Sequence, residues 1–177
     1  MRWLGYTLLV IVGLIALVFG VGAALPVAHT ATVRAHIDAP PESVYARIAD
    51  VSAGLAWREG MQQVEVLSLP GEPLRWRETG GFGSIVMLRE DADPPSRLSA
   101  RIDDPGQPFG GRWVYRLDRD GAGTRLSITE EGEVYNPLFR FMARYVFGHY
   151  RTLETYIGAL GRSFGSEVAI ERVEDAG

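Results

Sequence analysis

Residues 30–45 read TATVRAHIDAPPESVY, and the two halves of this stretch obey different periods. In the first half Ala31, Val33, Ala35 and Ile37 alternate with Thr32, Arg34 and His36, which is the pattern of a half-buried strand. Ala39-Pro40-Pro41-Glu42 then turns the chain into a helix. Proline suits the first helical turn, and Glu42 suits the positive end of the helix dipole. Val44, Tyr45 and Ile48 give that helix its apolar stripe, and a second short helical or irregular segment is expected from Val51 to Trp57.

From Gln62 onward the period returns to two. Val64, Val66 and Ser68 alternate with Glu65, Leu67 and Leu69, and after the turn Pro70–Pro73 the residues Leu74, Trp76 and Glu78 alternate with Arg75, Arg77 and Thr79. Gly80, Gly81 and Gly83 mark a reversal or a bulge. Further strands are expected over Ser84–Glu90, Arg97–Asp103, Gly111–Asp118 and Thr124–Tyr135, joined by connections short enough to imply antiparallel neighbours. Trp113, Tyr115 and Leu117 oppose Arg112, Val114 and Arg116, so one sheet face is wet and the other needs a cover.

A closing helix from Asn136-Pro137 to about Phe164 supplies that cover. Leu138, Met142, Tyr145, His149, Leu153, Tyr156 and Leu160 follow helical spacing along it. The reading is an α+β fold: a curved antiparallel sheet of about seven strands wrapped around a long C-terminal helix.

Composition narrows the function. The chain has 177 residues, 22 acidic and 18 basic, with no cysteine, and arginine supplies every basic side chain. Residues 30–177 carry 17 Arg against 22 acids, a formal charge of −5, with no basic run; this argues against a nucleic-acid partner. Residues 4–25 hold one polar side chain, Thr7, and no charge. As a helix they extend about 33 Å, close to the thickness of a bilayer's hydrocarbon.

A retained single-pass transmembrane anchor is therefore expected. The rival is a cleaved signal peptide, whose apolar region should be about 7–15 residues long; small residues around 22–24 and 28–31 would suit cleavage. Arg2 and the terminal amine favour a cytoplasmic N-terminus and an extracytoplasmic domain. Gly13, Ala16, Gly20 and Ala24 form a small-residue stripe, the basis for expecting a weak homodimer through the helix. The expected organisation is an anchor and link over 1–29, a domain over 30–165 and a poorly ordered tail over 166–177.

Several strings resemble the START/polyketide cyclase-like (SRPBCC, helix-grip) superfamily. Residues 37–45 (IDAPPESVY) look like its strand-to-helix signature, and Asp50 with Trp57 seven residues later, then Val64-Glu65-Val66, like its next block. Residues 110–115 (GGRWVY) with 124–132 (TRLSITEEG) are similar to its last hairpin. The resemblance covers roughly residues 31–164. It implies a hydrophobic cavity under the long helix and no single activity, since members include lipid carriers and aromatic polyketide cyclases.

Trp57, Trp76, Trp113, Tyr115, Met142, Tyr145, His149 and Tyr156 are the candidate cavity wall, because aromatics supply apolar area with polar handles. Ordinary core packing explains the same residues one at a time. Glu78, Glu130, Tyr115 and His149 are the groups available for proton transfer. The two acids share phase with Trp76 and Ile128, and a buried carboxylate needs a partner such as Arg89 or Arg101. The three histidines lack metal-ligand spacing, so no metal is expected, and no cofactor loop is recognisable. Gly161-Arg162-Ser163-Phe164-Gly165 has the letters of a nucleophile elbow but ends a helix, where an elbow would follow a strand.

Three readings follow: a membrane-anchored domain binding a hydrophobic or lipid-like small molecule; a polyketide cyclase/dehydratase-like enzyme; and an interaction module whose cavity is filled by its own side chains. For the third, Phe139 and Phe147, with Arg144 and Arg151, mark a contact point for a partner or the bilayer surface.

Overall fold

The computed structural model describes residues 2–81 and 83–173. Phe82, in the glycine reversal, and residues 174–177 of the tail lie outside the described residues. The chain runs α1 (Arg2–Ala24), β1 (Ala28–Ile37), α2 (Pro41–Ala49), α3 (Gly54–Trp57), β2 (Met61–Val66), β3 (Arg75–Gly80), β4 (Gly83–Asp93), β5 (Arg97–Ile102), β6 (Phe109–Asp120) and β7 (Gly123–Val134). It continues through α4 (Pro137–Met142), a π-helical turn (Ala143–Phe147), α5 (Arg151–Ser163) and β8 (Glu171–Val173).

The strands form a single sheet in the order β2-β3-β4-β5-β6-β7-β1-β8, antiparallel at every pairing. This is an α+β helix-grip-like fold. The sheet has eight strands where about seven were expected. The addition is β8, a short strand within residues 166–177, expected to be a poorly ordered tail, that pairs with β1 across Thr32–Arg34.

The strand-to-helix stretch folds as its two periods require. Ala31, Val33, Ala35 and Ile37 are buried on β1, and α2 begins at Pro41 with Val44 and Ile48 buried. The buried Thr124 hydroxyl donates to the Ala39 carbonyl at 2.7 Å, tying the turn to β7. Leu126 and Ile128 of β7 meet Leu153, Ile157 and Leu160 of α5 over this surface to form the core.

The closing helix departs from expectation: it is two helices. Asn136 caps α4 by accepting the Leu138 and Phe139 N–H groups. After the π-turn, Gly148 takes φ 74° and ψ 157°, a conformation open to glycine and costly for other residues. α5 then covers the sheet, whereas α4 packs against α1. Gly22 permits that approach, since a Cβ there would collide with the Pro137 carbonyl. Arg140 Nη1 donates to the Leu25 carbonyl at 3.0 Å, near the negative end of the α1 dipole. The apolar stripe that seemed continuous therefore serves two partners.

α1 holds the 20-residue apolar run Gly5–Ala24, long and apolar enough to cross a membrane and largely exposed. A signal sequence has the same properties.

Candidate functional site

Asp50 starts the local architecture. Its Oδ1 accepts the N–H groups of Ser52 and Ala53, both at 3.1 Å, which shapes the turn into α3. That turn sets Trp57 at the end of α3 and Arg58 at its C-cap, facing the sheet. The register places Trp76 and Glu78 of β3, Arg89 of β4, Leu98 and Ala100 of β5 and Tyr115 of β6 on one face. These residues, with Tyr156 of α5, surround a cavity of about 40 Å³.

The wall is aromatic but far from inert. Arg58 donates both Nη atoms to Glu78, at 2.8 and 2.9 Å, and Trp76 Nε1 donates to Glu78 Oε1 at 2.9 Å. The Arg58 guanidinium also lies 5.3 Å from the centre of the Tyr156 ring. Around Tyr156 the rings of Trp57, Trp113 and Tyr115 pack at 5.1, 5.4 and 5.7 Å. Arg89 Nη2 donates to the Ala49 carbonyl at 2.7 Å, and among the described residues no carboxylate lies within salt-bridge distance of Arg89.

Burial sets the protonation states. Desolvation opposes the charge of Arg58, but its hydrogen bonds and attraction to Glu78 outweigh that and hold its pKa above the usual value. Arg89 lacks such a partner, and burial pulls its pKa down. Burial raises Tyr115 well above the ordinary phenol range and pushes Tyr156 up to about 12, so both stay protonated at neutral pH.

Two donors here are unsatisfied. Trp57 Nε1 and Arg89 Nε are buried without a hydrogen-bond partner among the described residues. An unpaired buried donor costs about 1–3 kcal/mol, so a cavity wall carrying two of them suits an acceptor atom supplied from outside.

Of the eight candidate wall residues, Trp57, Trp76, Tyr115 and Tyr156 line this cavity. Trp113 packs behind them against Tyr156. Met142, Tyr145 and His149 fall on the broken segment: Tyr145 is exposed at the π-turn against Phe141, and His149 stacks on His29 with ring centres 4.0 Å apart. The proton-transfer candidates divide as well. Glu78 and Tyr115 line the cavity, while Glu130 Oε1 accepts from His29 Nε2 at 3.3 Å, beside His149.

Burial, then the charges of His29 and Arg144, lower the His149 pKa, with Glu130 opposing. The partners expected for the acids were wrong: Glu78 pairs with Arg58 and Glu130 with His29, while Arg101 bonds Glu90 and Asp103. Arg58 was the residue sequence reasoning missed. Its only signal was a charge directly after Trp57. Ser163, in the elbow-like string, donates to Leu160 at the end of α5.

A larger open groove of about 740 Å³ runs over the opposite face of the sheet. Its wall includes Arg101, Arg112, Glu90, Asp103 and Glu131, already paired with one another. Ile102, Pro105, Phe109 and Tyr135 complete its wall, and its charged groups are satisfied by one another. Among the described residues no three His, Asp or Glu side chains converge as metal ligands would.

A family model described as "Polyketide cyclase / dehydrase and lipid transport" matches residues 28–154. No protein of curated function matches the sequence. Among solved structures, a Thermus thermophilus protein is similar at 20% identity and TM-score 0.64, over 77% of this chain and 97% of that one. An aromatase/cyclase from a Streptomyces species is similar at 14% identity and TM-score 0.63, over 78% and 94%. A START superfamily protein from Mycobacterium smegmatis is similar at 17% identity and TM-score 0.61, over 78% and 97%. At these identities the likeness speaks for the fold. With the family model matched over most of its length, the chain belongs to the polyketide cyclase / dehydrase and lipid transport family.

Proposed function

We propose that this protein is a membrane-anchored binder of a hydrophobic small molecule with an acceptor end, a carbonyl or carboxylate, held between the sheet and α5. The observation that carries the reading is the pair of unpartnered buried donors, Trp57 Nε1 and Arg89 Nε, on the wall of one cavity. An acceptor in the cavity would offer these donors the partner they lack and Arg89 a counter-charge, while the surrounding rings would cover the apolar body.

At about 40 Å³ the cavity holds a few waters and no lipid. Entry therefore requires Trp57 and the short α3 to swing outward. α3 is only four residues long, so this displacement breaks few backbone hydrogen bonds. In this reading α1 is retained as the anchor, with its N-terminus in the cytoplasm, and delivers the domain to ligands dissolved in a membrane.

The test uses the full chain in phospholipid nanodiscs, first stripped, then titrated with a fluorescent polyene fatty acid and its alcohol analogue. Saturable binding of the acid, weakened about tenfold or more in Arg89→Gln, is expected. Solvent extraction of freshly purified protein followed by mass spectrometry should recover an acidic or carbonyl-bearing lipid. Repeated recovery of empty protein that takes up neither probe would overturn the reading.

The small volume favours one other assignment, an interaction module filled by its own aromatic side chains. Under it, Trp57→Ala would leave a hole without creating probe binding. Under the ligand reading the same change should alter the affinity of a site already present.

A further inference from the structure

α4 and the π-turn bury none of their residues, 137–147, in the domain. Phe139, Tyr145, Val146 and Phe147 are 45%, 59%, 57% and 56% exposed. Scattered exposed aromatics are ordinary, but these four share an eleven-residue segment whose helical part is seated on α1.

Its place along α1 is set by Gly22, which is buried against Pro137, and by the bond from Arg140 to the Leu25 carbonyl. Val18 and Val21, one turn apart on that side of α1, are likewise less exposed than most of the helix. Val18 precedes Ala24, the end of the apolar run, by six residues, about 9 Å. α4 thus lies beside the last turns of the run, where hydrocarbon would give way to headgroups if α1 spans a bilayer. Arg144 and Arg151 flank the exposed side chains and are themselves exposed, with no carboxylate within salt-bridge distance among the described residues.

We propose that residues 137–147 are an interfacial docking surface for a phospholipid bilayer. Phe139, Tyr145, Val146 and Phe147 enter the boundary between acyl chains and headgroups, where aromatic side chains partition well. Arg144 and Arg151 meet lipid phosphates. The occupant is identified by continuity, because the patch extends the apolar surface of α1 and sits at its end. The proposal rests on α1 being a retained membrane span, and the experiment reads that separately.

The chain has no cysteine, so one introduced cysteine carries one environment-sensitive fluorophore. Val146→Cys and Phe147→Cys report the patch, Leu14→Cys reports the span, and Arg116→Cys reports the exposed outer face of β6. Each full-length variant is reconstituted into phosphatidylcholine vesicles, with and without phosphatidylglycerol. Quenching by aqueous iodide is compared with quenching by lipids carrying a nitroxide near the headgroup or at the chain end.

Labels at 146 and 147 should be quenched severalfold more by the shallow nitroxide than by iodide, and the label at 116 should show the reverse. Phosphatidylglycerol should deepen the signal at 146 and 147. If 146 and 147 behave like 116 while 14 is quenched by the deep nitroxide, the anchor stands and the docking surface is wrong. If 14 is also open to iodide, the span fails and the proposal falls with it. An unchanged signal on adding phosphatidylglycerol would overturn the part assigned to Arg144 and Arg151, attraction to a net anionic headgroup.

Discussion

Replacing Glu78 by Gln tests whether the Arg58 pair organises the cavity. The carboxylate accepts three charge-assisted bonds of 2.8–2.9 Å, and the paired side chains are only 28% and 13% exposed. Glutamine keeps the volume but turns an NH2 donor toward the Arg58 donors. A cation is then left without a counter-charge close to Arg89. Breaking a buried pair from one side costs about 3–5 kcal/mol. The residual exposure of Arg58 puts this case near about 3 kcal/mol.

For a domain of this size that is a fall of about 6–12 °C in the thermal midpoint. The assay is tryptophan fluorescence during heating of the full chain in nanodiscs, since Trp57 and Trp76 both sit at the lesion. Arg58→Met together with Glu78→Leu should recover part of the loss, because apolar replacement removes both desolvated charges but leaves Trp76 Nε1 without its acceptor. A loss below about 0.5 kcal/mol for Glu78→Gln, or a double variant as poor as the sum of the singles, would show that the pair is a surface contact and refute the reasoning.

Four further outcomes are expected. Leu160→Ala, at a fully buried position of α5, should cost about 2–5 kcal/mol in denaturant titration. Gly22→Val should push α4 off α1 against the Pro137 carbonyl, and faster proteolysis between residues 137 and 150 would report it. Because burial lowers the His149 pKa, the folded state resists protonation there. Stability should be unaffected well above the unfolded pKa of about 6.5 and fall as pH drops below it, and His149→Gln should blunt that acid-side fall in midpoint. With α1 as the membrane span proposed above, Ile11→Arg or Leu14→Arg would place a charge near mid-bilayer at about 2.5–3.5 kcal/mol on insertion scales, so more chain should appear in the supernatant of a carbonate wash.

The alternation on β1, β6 and β7 is legible because each of these strands has one face against the core, and burial selects every second residue. The inward phase of Trp76, Glu78 and Tyr115 follows from the same rule. The break in the closing helix is not legible that way. Leu138, Met142 and Tyr145 keep helical spacing whether they meet the sheet or α1, and periodicity reports amphipathicity without naming the partner.

Gly148 was the visible warning, since a glycine within a long helical stripe is where a change of direction is least costly. Arg58 was hidden for a different reason. Its role depends on the three-residue connection after α3, of which it is the first, and on a carboxylate twenty positions away, and neither leaves a pattern in the chain. β8 was hidden because three residues are too few to show a period.

The junction between α1 and β1 also has a mechanical consequence. β1 pairs with β7 over ten consecutive positions, Ala28↔Glu133 to Ile37↔Thr124, and lies inside the sheet between β7 and β8. A pull on α1 enters β1 at Ala28, the same end at which the chain leaves β7, so a load between α1 and the C-terminal helices bears first on the pair Ala28↔Glu133. Arg140 and Pro137 hold the next segment of chain after β7 against α1, so tension is shared before it reaches the ladder. Under load between residue 2 and the C-terminal helices the α1–α4 contact should part before the ladder opens, and single-molecule pulling would resolve the order of the two events.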